Sequence, residues 1–145
     1  MELHRINDTW KCMNSTPGWP ELGNAEIRFE TPDRSEPTTG QFKEIERLIE
    51  RSGEIRKQVD QALAAHTKAY WVDEMGTDEE TADSIEGSGG YYGQLRGIVV
   101  WQMRSGVIHI GFEFESLLDE NEHGVGVLWA NDRVLSVGSA EIIQP

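Results

Sequence analysis

The chain has 145 residues, 37% of them hydrophobic and including five Trp and four Phe, which suits one domain with one buried core and excludes disorder throughout. Asp and Glu number 26 against 13 Lys and Arg, a net charge of −13; phosphate recognition needs the opposite balance, so nucleic acid and anionic membrane are excluded as partners. No apolar run approaches the roughly 18 residues of a membrane span, the first residues carry no signal pattern, and the lone Cys12 permits neither an internal disulfide nor a cysteine zinc site, so a cytoplasmic location is expected.

In chain order, TWKCM (9–13) reads as a short strand followed by a Pro/Gly-rich turn region, NSTPGWPELGN. AEIRFETPD alternates Ile27 and Phe29 with Glu26, Arg28 and Glu30, the pattern of a half-buried strand. RSEPTTG ends it and offers Thr38 or Thr39 as a helix N-cap. From Gln41 the period lengthens: Phe42, Ile45, Leu48 and Ile49 make one apolar face. Gly53 interrupts as a poor mid-helix residue, and Ile55, Val59, Leu63, His66 and Tyr70 make a second face. Two consecutive helices are predicted, about 41–52 and 54–72, with His66 as a hydrogen-bonded core residue.

The stretch from Asp73 to Gln94 has no apolar period, many acids and several glycines, and predicts a surface loop, mobile over about 74–90. Its spacing matches neither a calcium loop nor a phosphate or dinucleotide loop. GIVVWQM (97–103) then predicts a buried strand, with Trp101 inside, and RSG a turn. VIHIGFEFE places Ile108, Ile110, Phe112 and Phe114 on one strand face and His109, Gly111, Glu113 and Glu115 on the other. GVGVLWANDRVLSVG predicts a hairpin turning at Asn131-Asp132, which would set Trp129 against Val134 and Gly126 against Val137. Apolar residues on both of its faces demand cover on both sides. The helices supply one cover; the N-terminal segment with its two Trp, or a second subunit, supplies the other.

The densest candidate chemistry is the acidic turn LLDENEH, running from Leu117 to His123, beside that strand. His109, Glu113, Asp119, Glu122 and His123 form a candidate polar site, since imidazole and carboxylate oxygens bind divalent cations or move protons. On a strand, His109 and Glu113 stand about 13 Å apart, so one ion would need a loop group between them. Glu113 and Glu115, about 6.8 Å apart on one face, have the separation of an acid/base pair, but adjacent carboxylates on a solvated sheet are commonplace. Ser116 lacks a nucleophile elbow and Cys12 lacks a flanking motif. No cofactor pattern is present and none is expected. The structural alternative is a turn in which Gly124 and Gly126 allow close backbone approach while His123 pins the loop to Asp119 or Glu113; it outweighs the binding-site reading.

Gly111, Phe112, Phe114, Asp119, Glu122, His123, Gly124, Gly126, Val127, Arg133, Val134 and Gly138 together resemble the C-terminal signature of a family of small bacterial proteins known only as a domain of unknown function. The preceding VIHI and the paired helices fit as well, so the resemblance covers the last two thirds of the chain. Ser116 and Leu118 stand where that pattern has Cys and Trp, and one extra residue falls between Asp119 and Glu122, which puts in doubt any role resting on those positions. The resemblance implies no activity; it implies kinship with small cytosolic proteins found among bacterial immunity and accessory genes.

The expected fold is one α+β domain over 1–145: a twisted antiparallel sheet of five or six strands with two consecutive helices packed on one face. The expected function is that of a non-enzymatic interaction or immunity-type module whose acidic surface meets a basic protein, with a homodimer as a further partner. The alternative is a metal-dependent or acid/base enzyme centred on Glu113, Asp119, Glu122 and His123.

Overall fold

A computed structural model describes residues 3–7, 9–12, 18–33, 36–69, 72, 76, 78, 80–81, 92–116, 124–139 and 143. Seven strands are β1 (Leu3–Ile6), β2 (Thr9–Cys12), β3 (Glu26–Glu30), β4 (Tyr92–Gln102), β5 (Ile108–Ser116), β6 (Val125–Ala130) and β7 (Arg133–Ser139), and two helices, α1 (Thr39–Glu50) and α2 (Ser52–Ala69), fall between β3 and β4. The strands form a single sheet in chain order, antiparallel throughout except for the parallel pair β3–β4. The fold is α+β.

Two features of the sheet differ from expectation. The count is seven rather than five or six, because β1 is polar and mostly exposed and carries no apolar alternation. Its one legible signal is Asn7, at φ 57° in the two-residue loop between Ile6 and Thr9, the chemistry that also turns β6 into β7 through Asn131 (φ 53°) and Asp132 (φ 63°). The sheet is also not wholly antiparallel. A helical insertion separates β3 from β4, and a crossover of that length lets the second strand return in the same direction.

Register puts Ile27, Ile98, Phe112, Val127 and Val137 in one row across β3 to β7. This core face joins Ile45 and Leu48 of α1 and Ile55, Val59 and Leu63 of α2 in a single buried cluster. Trp19, 1% exposed, stacks on Phe112 at 5.3 Å and on Phe114 at 6.4 Å between centroids, while Trp10 meets Phe29 and Phe42 edge-on at 5.9 and 5.5 Å. Both N-terminal tryptophans therefore serve the core face and neither covers the opposite one.

Glycine explains why. A Cβ on Gly18 would lie 2.5 Å from the backbone N of Gly53, so the loop carrying Trp19 runs directly against the start of α2. Gly53 lies inside α2 rather than at the stop between helices; the break falls at Arg51 (φ −107°, ψ 23°). The α2 stripe is buried through Leu63, but His66, expected in the core, is exposed: it continues the stripe beyond the buried cluster. Tyr70 and most of 74–90 lie outside the described residues.

The first turn of α1 is tied to the parallel junction. Thr38 is the N-cap in a full capping box with Gln41, and its hydroxyl also donates to Gln102 Oε1 on β4. Gln41 is fully buried; its Nε2 donates to the Glu30 carbonyl at 2.8 Å and the Val100 carbonyl at 3.0 Å, and its Oε1 accepts from Thr38 N at 2.9 Å. One amide thereby satisfies carbonyls on β3 and β4 together, as a buried polar group must.

β4 begins at Tyr92, inside the stretch expected to be loop, and its first residues pair through register shifts between Tyr92 and Gly97. Bulges with glycine and polar residues lack the alternation that marks a strand. The β6–β7 hairpin sets Trp129 against Val134 as expected, but Gly126 faces Gly138 rather than Val137. The register shifts between Leu128 and Trp129, leaving Leu135 as an extra residue, 38% exposed, and moving Val137 onto the core face opposite Val127.

Candidate functional site

β5 positions the described members of the candidate polar site. Its even-numbered residues Ile110, Phe112 and Phe114 are buried in the core, so strand alternation sends His109, Gly111, Glu113 and Glu115 to the opposite face. Across the sheet these lie in rows: Glu26, Gly97, Glu113, Gly126 and Gly138; then Arg28, Val99, Gly111, Leu128 and Ser136; then Glu30, Trp101 and His109.

Glu113 is half-buried and flanked by glycine on both neighbouring strands. Its Oε2 lies 3.7 Å from where a Cβ on Gly97 would stand, so the carboxylate leans over the bare backbone of β4 toward the Glu26 side. His109, also half-buried, sits four pairs along the strand beside Trp101. The residue between them closes the gap: a Cβ on Gly111 would lie 2.5 Å from Ile143 Cβ and 3.0 Å from its Cγ2. An isoleucine side chain therefore fills the space between His109 and Glu113, and it is itself 1% exposed. The structure sets these two polar groups apart, on either side of an apolar plug. Asp119, Glu122 and His123 lie outside the described residues. Among the described residues, no cluster of three or more His, Cys, Asp or Glu could hold a metal ion.

Gly124, next to His123 in sequence, has φ +70°, and a Cβ there would collide with the Phe114 carbonyl oxygen. The backbone leading into β6 thus presses against the end of β5 in a conformation that suits glycine alone, as the structural reading of this turn requires of Gly124.

Sequence reasoning overlooked Gly97 and Ile143, and it expected Trp101 inside, where the structure leaves it half-buried. Trp129 is 3% exposed, whereas Trp101 is half-buried with a fully buried Nε1 that meets no hydrogen-bond partner among the described residues. An orphaned buried donor is uncommon, and alternation alone does not mark which tryptophan will carry one. The row pattern of glycines could have been found by aligning the strands: Gly97, Gly111, Gly126 and Gly138 supply one glycine to each of β4 to β7 on the same face.

The shifted titrations lie elsewhere. Asp132, in the β6–β7 turn, accepts from Arg47 at 2.7 Å and Arg51 at 3.1 Å, and Arg51 also pairs with Glu54 at 2.8 Å. The Arg51 hydrogen bond and charge hold the Glu54 carboxyl below the usual range, and Glu54, then Asp132, raises Arg51. Asp78 is lowered by the backbone N–H and hydroxyl of Thr81. These exposed groups tie surface elements together and do not converge on the opposite sheet face.

Comparison with protein families matches residues 3–144 to a domain of unknown function (DUF6985). The chain belongs to the DUF6985 family. The DUF6985 match runs from the first residue of β1 past Ile143, so the family's domain takes in all seven strands, both helices and the plugged face. No similar protein was found among curated proteins or solved structures. No described helix of this DUF6985 domain is long and apolar enough to cross a membrane.

Proposed function

We propose that this DUF6985 protein is a non-enzymatic bacterial cytosolic binding module of the immunity type, whose acidic sheet face docks a basic protein. The carrying observation is the charge of that face. Glu26, Glu30, Glu113 and Glu115 share it across β3 and β5, with Arg28 of β3 on the same side. In a chain with net charge −13, such a face attracts cationic surfaces at long range and repels anionic ones. The apolar plug between His109 and Glu113 supports a surface role for these residues over a shared reaction centre. In this reading His123 pins its loop, and the Gly-Phe-x-Phe and Glu-His-Gly residues serve the architecture of the face.

The test is capture of a basic protein at low ionic strength followed by calorimetry. A single partner bound one to one, released by salt and weakened at least tenfold by Glu26→Gln with Glu113→Gln and Glu115→Gln, is the expected result. Binding indifferent to salt and to these substitutions would defeat the proposal. A saturable rise in melting temperature with one divalent cation, lost in His123→Ala, would replace it by a metal-dependent reading.

A further inference from the structure

The row of Glu30, Trp101 and His109 crosses β3 to β5 on the acidic face, and all three residues are half-buried. The Trp101 Nε1 is fully buried without a hydrogen-bond partner among the described residues, so the part of the indole that meets solvent is its carbon surface. A neutral polar group finds no donor there, and an anion is repelled by the Glu30 carboxylate on the neighbouring strand. The π surface of an indole attracts a cation, and so does the carboxylate beside it. Among the described residues no Lys or Arg lies over Trp101 or pairs with Glu30; Arg28 shares the face but stands opposite Val99, in the next row. The chain itself shows what this pair of groups accepts. At the rim of the core face Arg5 of β1 pairs with Trp10 of β2; its Cζ lies 5.7 Å from the centroid of the Trp10 ring, and its Nη1 reaches Glu36 Oε2 at 3.0 Å. One guanidinium there meets an indole and a carboxylate at once. Trp101 and Glu30, paired across β4 and β3, present the same two groups to solvent.

We propose that Trp101 and Glu30 form a subsite for an arginine side chain of the basic protein, its guanidinium stacked on the indole and donating to the Glu30 carboxylate. The inference rests on the reading of this face as a dock for a basic partner, and adds which residue type is received and where. Arginine suits the subsite better than lysine. A flat, weakly hydrated guanidinium stacks on a ring while donating in its own plane, whereas an ammonium is a compact, strongly hydrated charge. His109 bounds the subsite on the β5 side. Glu26, Glu113 and Glu115 add long-range attraction that does not discriminate between the two cations.

The probes are two synthetic peptides, acetyl-Arg-Gly-Arg-Gly-Arg-amide and its counterpart with lysine at the same positions. Each is titrated into the full chain at low salt, with calorimetry for affinity and the ring C–H resonances of Trp101 for location. The arginine peptide should bind roughly fivefold or more tightly than the lysine peptide and shift the Trp101 ring. Trp101→Leu and Glu30→Gln should each bring the two peptides to within about twofold of one another. Should Trp101→Leu not fold, Glu30→Gln, which leaves the indole in place, decides alone: an undiminished preference for arginine overturns the proposal. Equal binding of both peptides to the unsubstituted chain also overturns it, and leaves the acidic-face reading standing. An arginine preference that depends on Trp101 and Glu30, in a chain that captures no basic protein, upholds the subsite and defeats that reading. Binding of neither peptide defeats both.

Discussion

Gly111 and Ile143 are complementary: the space that a Cβ on Gly111 would need is taken by Ile143, whose own Cβ lies 2.5 Å from that point. Each residue is thereby a condition for the other. Gly111→Ala should destabilise the protein by about 1–3 kcal/mol through overpacking, and Ile143→Ala by about 2–5 kcal/mol through lost burial and a cavity. The double variant should lose less than the sum, because alanine at 143 leaves room for alanine at 111. Urea unfolding of the four proteins measures the coupling, and strict additivity would show that the two side chains do not share this space.

Gly124 and Gly76 separate backbone conformation from crowding. Both have φ +70°, but a Cβ on Gly76 meets nothing within 4 Å, whereas one on Gly124 meets the Phe114 carbonyl. Gly76→Ala should cost about 1–2 kcal/mol, the left-handed penalty alone. Gly124→Ala should cost clearly more, with the melting temperature falling by about 2–4 °C for each kcal/mol in a chain of this size. Equal losses would contradict the contact with Phe114.

Gln41 stitches β3 to β4, so Gln41→Leu leaves the Glu30 and Val100 carbonyls without their side-chain donor. A loss of about 1–3 kcal/mol is expected, against about 1 kcal/mol for Thr38→Ala at the cap. Gln41→Glu should be worse at neutral pH than at pH about 4, because a buried carboxylate without a cation is relieved by protonation. Stability of this variant that did not improve on acidification, relative to the unsubstituted chain, would mean that position 41 is not buried as described.

Glu54 and Asp78 have depressed folded-state titrations, Glu54 chiefly through Arg51 and Asp78 chiefly through Thr81. The sign follows from linkage: a carboxyl with a lowered folded pKa contributes stability above its unfolded value, and that contribution is lost as pH falls through the folded value. Acid titration at low salt should therefore show a shallower loss of stability below the ordinary carboxyl range for Glu54→Gln, and again for Asp78→Asn. The Glu54 difference, which depends on the charge of Arg51 at an exposed site, should shrink as salt is added, whereas the Asp78 difference, which depends on hydrogen bonds from Thr81, should persist; the reverse pattern would assign the shifts to other causes.

Periodicity alone determined much of this protein. Ile27 and Phe29, Ile108 to Phe114, and the Ile45–Leu48 and Ile55–Leu63 stripes each announce their element, because burial of one face imposes a period of two on strands and 3.6 on helices. Thr38 and Asn131-Asp132 were legible for the same local reason, their side chains or backbone freedom acting within a few residues. Local signals could not decide pairings across the chain. The direction of β4 against β3, the one-residue shift at Leu135, the seating of both N-terminal tryptophans on the core face and the meeting of Ile143 with Gly111 all depend on groups far apart in sequence. Within the candidate site, alternation placed His109 and Glu113 on one face. Only the tertiary structure put an apolar side chain between them, because packing fills the space that a glycine leaves with whichever distant residue fits.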